Sequence, residues 1–364
     1  MACVRVIACG EDVNGITISP DGQLFAISDW LGGGVRLLDT RTGKTHTQQP
    51  FGINQDVISV AFTSAGACQP LLAAGVEDDI VRVWDCNNYV CVAELEIYSS
   101  SSVYGYFSSV YGVAFSPNGS LLASASGDGT VRLWRTDDWH APPAVLLGHT
   151  DVVYGVSFSC DDRLLATCSW DQTVKLWRTS GTAAIAATAR LALIVFCVAF
   201  SPVDNGLLAW GGQTASVVLA RVDADTIIVE RELHGHTDDI QSLSFSPCGR
   251  KLASTADDKT LRLWSVASGE CLRVLQGHTN DVTYVAFFPN GKQLASCSWD
   301  KTVRIWTLCT WSDHNHHLFG AQLKHKVFLL MCVRAHMMAT GVKPELPIEL
   351  WLMVFEQMAL EDDE

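Results

Sequence analysis

The sequence predicts an all-β protein in which one structural unit recurs seven times, and three observations carry that expectation. The first is an internal repeat. Gly148-His149-Thr150-Asp151 leads to Ser169-Trp170-Asp171 and Trp177, and Gly277-His278-Thr279-Asn280 leads to Ser298-Trp299-Asp300 and Trp306. Between them, Gly235-His236 leads to Asp258 and Trp264, and in all three copies 28 residues separate His from Trp. Aligned on that Trp, the column reads Leu38, Trp84, Trp134, Trp177, Ala220, Trp264, Trp306, with spacings of 46, 50, 43, 43, 44 and 42 residues. A fixed period of this size sets the architecture before any single residue is weighed. The second observation is alternation of apolar and polar residues in short runs, such as 152–158, 163–167 and 173–177, which is the signature of strands. The third is turn chemistry between those runs: Ser19-Pro20-Asp21-Gly22, Ser116-Pro117-Asn118-Gly119, Ser246-Pro247-Cys248-Gly249 and Phe288-Pro289-Asn290-Gly291. Proline presets φ and glycine accepts the positive φ that closes such a turn.

A unit of roughly 40 to 45 residues with Gly-His near one end and Trp near the other resembles the WD-repeat family. The resemblance covers about residues 1–308 and is fullest in the fourth, sixth and seventh copies. The second and third are clear, with Asp78 before Trp84-Asp85 and Asp128 before Trp134. The first keeps Leu38-Asp39 in place of Trp-Asp, and the fifth has Ala220 with no Asp before it. The resemblance implies a seven-bladed β-propeller with four strands per blade. It also implies that residues 3–7, which match Cys271-Leu272-Arg273-Val274-Leu275 in pattern, complete the last blade and close the ring, leaving no long sheet edge exposed. Because Ala220 lacks the ring, the fifth blade is expected to be the locally weakest.

Composition narrows the function classes. A length of 364 residues and 48% hydrophobic content allow a large core, and a net charge of −14 argues against nucleic acid as a partner. The thirteen cysteines are scattered through strand positions with no disulfide spacing, as expected for small buried hydrophobes in a reducing compartment. Residues 1–10 lack the basic and apolar regions of a signal peptide, and the most apolar run, 191–200, is too short to span a membrane. The expectation is a cytoplasmic or nuclear protein with no membrane partner.

One constellation imitates catalysis. His149, Thr167 or Ser169, Asp171 and Trp177 bring triad ingredients into one copy, but His236, Ser254, Asp258, Trp264 and His278, Ser296, Asp300, Trp306 repeat the set. A nucleophilic site is needed once, not once per blade. The resemblance implies a structural network in which Asp orients His, His meets the hydroxyl, and the hydroxyl meets the indole N–H. The sequence shows no P-loop, dinucleotide turn or zinc spacing, so no cofactor and no metal are expected. His314, His316, His317, His325 and Cys332 read as a polar linker.

Binding chemistry is expected on the propeller face that carries the loops before the innermost strands. Trp30, Trp170, Asp257 and Trp299 stand just ahead of the turn Asp position, with Glu77 and Gly127 in the same column. At the start of the innermost strands stand Asp56 and Ile58, Ser109 and Tyr111, Val152 and Tyr154, Ile194 and Phe196, Asp239 and Gln241, Asp281 and Thr283. This set is rich in aromatics and acids and contains no Lys or Arg, which suits a protein or peptide partner with basic residues.

Residues 309–364 fall outside the repeat. The sequence reads as a short helical C-terminal appendix, with one helix over 319–338 and another opened by Leu346 and Pro347. The stretch 348–358 is too apolar to face water. With Phe328, Cys332, Leu346, Pro347, Leu350 and Phe355 as its candidate adaptor-binding residues, the tail resembles in part a SOCS box or the opening of an F-box. Phe328 stands where a SOCS box has Leu, and His336 where it has an apolar residue. The function expected is a non-catalytic scaffold. The alternatives are a substrate receptor of a cullin-type ubiquitin ligase, with the tail docking the adaptor, and, more remotely, a hydrolase using the His and Asp set.

Overall fold

The computed structural model describes residues 3–29, 34–46, 55–67, 69–97, 109–180, 184–223 and 226–308. Those residues form a seven-bladed β-propeller of antiparallel sheets with no helix among them. Blades 2 to 6 each run from the channel outward in chain order. Blade 4, for example, is Val153–Phe158, Leu164–Ser169, Thr173–Arg178 and Ile185–Arg190. Blade 1 shows three strands among the described residues, Val13–Ile18, Leu24–Asp29 and Gly34–Asp39, with an added bridge from Leu38 to Thr45. In blade 7 the chain supplies Val282–Phe287, Gln293–Ser298 and Thr302–Thr307, and Cys3–Ala8 pairs antiparallel with the last of these. The two ends of the propeller thus share one sheet. Thr283 Oγ1 also donates to the Val13 carbonyl at 2.8 Å, tying blade 7 to blade 1 at the channel. The Pro-x-Gly turns close as the sequence predicts: Gly22, Gly119, Gly249 and Gly291 all have positive φ, and each donates its N–H back to the residue three before it.

The core lies between blades rather than inside them, because a sheet buries both faces only by stacking on its neighbours. Trp177 packs among Ala123, Leu133 and Leu146 of blade 3, and Trp264 among Leu207, Ala209 and Leu219 of blade 5. Trp306 packs among Ala253, Leu261 and Leu263 of blade 6. All three indoles are 1% exposed.

Blade 5 solves the same packing problem with exchanged residues. Where blades 4, 6 and 7 place Thr167, Ser254 and Ser296 on the second strand, blade 5 places Trp210, which is buried. Where they place Trp on the third strand, it places Ala220. Trp210 and Ala220 both sit against Ala166, Cys168 and Leu176 of blade 4, the face that each Trp of the other blades occupies toward its own preceding blade. The weakness expected from Ala220 rested on a missing ring; that ring enters from the neighbouring strand.

Candidate functional site

The channel mouth is built by one backbone device used seven times. The innermost strand of every blade slips register against its partner near its start. One residue is left unpaired at each slip: Asn14, Ile58, Tyr111, Tyr154, Phe196, Gln241 and Thr283. Such a bulge re-aims the side chain of the extra residue. All seven line a single cavity of about 350 Å³ at the propeller centre. Close approach of the strands there requires small residues. A Cβ on Gly112 would lie 2.8 Å from the Tyr154 carbonyl oxygen.

The seven residues are not alike, so the mouth has sectors. On blades 3 to 5, Tyr111 stacks on Tyr154 at 5.2 Å and 28°, and Phe196 tilts against Tyr154 at 5.6 Å. Trp170 continues the stack on Tyr154 at 6.5 Å and 16°. Its indole Nε1 is buried and has no hydrogen-bond partner among the described residues. Burial pushes the Tyr154 phenol up to about 12, with Tyr111, Cys168 and Asp257 adding to the shift, so it stays neutral. Across the mouth, Trp299 is 41% exposed and its Nε1 donates to Asn14 Oδ1 at 3.4 Å.

On blades 6 and 7 the rim is acidic. Asp257 accepts a hydrogen bond from Gln241 Nε2 at 2.9 Å. Partial burial pushes its carboxyl up to about 6; the Gln241 bond opposes this, and the charges of Asp281, Asp239 and Asp238 add to it. Asp239 is raised in turn by burial and by Asp238.

Of the residues that the sequence singles out, Asp56, Tyr111, Tyr154, Phe196 and Trp299 line the cavity. Trp170, Asp239, Asp257 and Asp281 lie outside that lining, Trp170 joined to it through Tyr154 and Asp257 through Gln241. Trp30 lies outside the described residues, as do Phe328, Cys332, Leu346, Pro347, Leu350 and Phe355 with the whole of 309–364. The sequence reading passed over Asn14. The signal was present, because Val13-Asn14-Gly15-Ile16 has the form of Val110-Tyr111-Gly112-Val113 and Val153-Tyr154-Gly155-Val156.

The buried His sets are hydrogen-bond relays whose direction can be derived. An indole only donates, so Trp177 Nε1 donates to Thr167 Oγ1, at 2.8 Å. The Thr167 hydroxyl donates onward to His149 Nε2 at 2.7 Å, which places the imidazole proton on Nδ1, facing Asp171 Oδ2 at 2.8 Å. Blades 6 and 7 repeat the chain through Trp264, Ser254, His236, Asp258 and through Trp306, Ser296, His278, Asp300, with every link between 2.7 and 2.9 Å. Burial lowers His149 and His278, keeping the rings neutral. Burial works to raise Asp171, but hydrogen bonds from His149 and Thr173 override it and hold the carboxylate well below its usual range. Thr167, Ser254 and Ser296 are 0% exposed, so no substrate reaches a hydroxyl. In blades 2 and 3 the turn Asp pairs instead with an arginine, Asp78 with Arg82 at 3.0 Å and Asp128 with Arg132 at 3.1 Å.

A family model described as WD domain, G-beta repeat, matches residues 98–135, 141–178, 228–265 and 269–307. Among known proteins, the chain is 31% identical over 215 residues to "Apoptotic protease-activating factor 1" of Danio rerio, covering 59% of this chain and 16% of that protein. It is 30% identical over 238 residues to "Nuclear distribution protein PAC1-2" of Uncinocarpus reesii, covering 61% and 43%. It is 24% identical over 238 residues to "Transcriptional corepressor LEUNIG_HOMOLOG" of Arabidopsis thaliana, covering 63% and 28%. The chain therefore matches less than half the length of each of these relatives.

Proposed function

We propose that this WD-repeat chain is a non-catalytic scaffold that holds a protein or peptide segment carrying basic residues against the channel mouth. One observation carries the reading: seven bulges converge on one cavity whose side chains differ from blade to blade. The buried relays, by contrast, repeat the same residues and serve each blade separately. A varied central cluster can recognise; a repeated buried one stabilises. Aromatic stacks supply large, rigid contact area, and the acids of blades 6 and 7 supply charge complementarity for Lys or Arg. We assign residues 1–308 to the propeller and 309–364 to a separate appendix. Relatives named as a nuclear distribution protein and a transcriptional corepressor are in keeping with work in the cytoplasm or nucleus.

The test is recovery of partners from cells with the full chain and with Trp170→Ala combined with Trp299→Ala. We expect loss of partners with an unchanged melting temperature, at about 2 kcal/mol per true hot spot. Retention of every partner by the double variant overturns the reading. The apolar stretch 348–358 favours a second role, docking of a cullin-ligase adaptor by the tail. Co-purification of elongin that is lost in Leu350→Asp with Phe355→Asp supports it, and absence of any adaptor from the full-length complex removes it.

A further inference from the structure

Away from the channel mouth, five third strands carry an arginine two residues before the Trp column: Arg36, Arg82, Arg132, Arg262 and Arg304. Three of them pair with an acid of their own blade, Arg36 with Asp29, Arg82 with Asp78 and Arg132 with Asp128. Arg304 is only 9% exposed, yet no acid or other acceptor among the described residues meets its guanidinium, and its Nε is buried without a partner. The reason is local. In blade 7 the turn carboxylate is already full. His278 Nδ1 and the Thr279 N–H donate to Asp300 Oδ2 at 2.8 and 3.1 Å, and the Thr302 N–H and hydroxyl donate to Oδ1 at 3.0 and 2.6 Å. Four donors use up a carboxylate's acceptor sites. Blades 2 and 3 have Asp56 and Tyr106 where blade 7 has His278, which leaves their turn Asp open to arginine. Gly277 makes the space for the unpaired group: a Cβ there would lie 2.6 Å from Arg304 Nη1, so the guanidinium lies against bare backbone. A cation buried this far without a counter-charge is costly.

Arg304 belongs to the groove between blades 6 and 7. Side chains two apart on a strand share a face, so Arg304 looks toward blade 6 with Trp306, which packs among Ala253, Leu261 and Leu263. Directly paired residues also share a face. Val6, paired with Arg304 and 40% exposed, therefore stands beside it, and Arg273, paired with Leu263, stands on the side of blade 6 that faces it. Arg273 donates to the Leu272 carbonyl and to no acid among the described residues. The groove thus offers two arginines without a counter-charge and an exposed apolar side chain. We infer that the segment 345–364 of this chain occupies this groove, with one of its carboxylates on Arg304. The segment carries Glu345, Glu349, Glu356, Glu361, Asp362, Asp363 and Glu364 and no Lys or Arg, and it contains the apolar run 348–358. Its acids answer the arginines, and its apolar run answers Val6 and is covered in turn. The chain also leaves the propeller from the strand that carries Arg304. Leu308 lies four residues past it, about 13 Å along a strand, and the 36 residues 309–344 can span ~120 Å. Tethering makes the contact intramolecular and raises the effective concentration, so one ion pair and a modest apolar contact suffice to hold it. Arg262 has the same place on blade 6 but meets Cys271 Sγ at 3.8 Å, and its groove faces blade 5.

The experiment uses the full chain with Arg304→Lys, which places a primary amine in the groove. A water-soluble carbodiimide then joins that amine to any carboxylate in contact with it, and peptide mapping by mass spectrometry locates the link. An equal mixture of unlabelled and nitrogen-15-labelled chains separates links within a chain from links between chains. Arg82→Lys is the positive control and should join Asp78 or Glu94, its present partners. Arg262→Lys, in the neighbouring groove, is the control for position. We expect Arg304→Lys to join an acid of 345–364 within one chain, and Arg262→Lys to give no such link. No link from Arg304→Lys while the Arg82→Lys control succeeds overturns the inference. So does a link to an acid of the propeller, a link found only between chains, which would seat a second copy in the groove, or an equal yield from Arg262→Lys. A second measurement leaves the propeller unmutated. The guanidinium signals of nitrogen-15 arginine are recorded for the full chain with and without replacement of the seven acids of 345–364 by Gln or Asn. The Arg304 signal should shift and that of Arg132, held by Asp128, should not. An unmoved Arg304 signal overturns the inference even if Arg304→Lys fails to fold.

Discussion

Blades 4 and 5 stand side by side and bury their shared face in opposite ways. Blade 4 sends Trp177 from its third strand and must then satisfy the indole N–H, which it does through Thr167, His149 and Asp171. Blade 5 sends Trp210 from its second strand, with Ala220 diagonal to it on the third. It has Ala192 at the position 28 residues before Ala220, where the full copies have His. Both bury one indole and one small residue per interface. The comparison teaches that the repeat is a rule about volume at the blade interface. The polar relay is one way of meeting that rule, and ring position is free to move between strands while close packing is kept.

The comparison breaks most visibly at the two indoles. Trp177→Ala should cost about 4–5 kcal/mol, because it leaves a cavity and also strips the Thr167 hydroxyl of its donor. Trp210→Ala should cost somewhat less, about 3–4 kcal/mol, since it leaves a cavity alone. Equilibrium denaturation of both variants checks the order. A near-neutral Trp210→Ala would mean that blade 5 does not use this ring, and the exchange of positions would be only formal. A sharper form is the cycle of Trp210→Ser, Ala220→Trp and the double variant. Ala220→Trp alone overpacks and should cost about 1–3 kcal/mol, whereas the double variant should recover part of the loss from Trp210→Ser. Additive costs would show that the two positions do not share one space.

The next effect in size concerns the relay. Asp171→Asn keeps an acceptor for His149 Nδ1 but removes the charge that also draws in Thr173 Oγ1 and the Thr150 N–H. About 1.5–3 kcal/mol should be lost, the range for hydrogen bonds to a charged group. Hydrogen exchange should place that loss in blade 4 with blade 5 unchanged. A loss spread evenly around the ring would argue that blades do not respond as separate units.

How much of this was legible beforehand follows from which signals are local. Blade number, strand alternation and the Pro-x-Gly turns are short-range patterns, and the seven sheets follow them. Aromatic and acidic residues at the innermost strands were legible because they recur at one offset in each copy, and Tyr111, Tyr154 and Phe196 do meet at the centre. Two things were not legible. The register slip that turns these residues into the channel depends on strand pairing, which one sequence does not display. The Trp210 and Ala220 exchange was hidden because alignment on the Trp column records Ala220 as a loss. The compensating ring lies ten residues earlier, and only pairing across the two strands brings it to the same interface.

The smallest expected effect is also the most selective between the two blade types. Burial disfavours the imidazolium forms of His149 and His278, so their folded-state values lie below the ordinary histidine value. The sign follows from proton counting. As pH falls below about 6.5 the unfolded chain takes up a proton that the folded blade refuses, so blades 4 and 7 lose stability with acid. Asp171 and Asp300 act in the same sense at lower pH: their carboxylates are held well below the usual range, and their contribution fades as pH drops past the unfolded value near 4. Blade 5, with Trp210 and Ala220, carries no such relay and should keep its protection. Hydrogen exchange at pH 7 and pH 5, corrected for intrinsic rates, should therefore show blades 4 and 7 opening more easily relative to blade 5 at the lower pH. His149→Gln should remove the difference for blade 4, because the amide does not titrate. Equal acid sensitivity in blade 5 would place the response in the ring as a whole and take the relay out of the explanation.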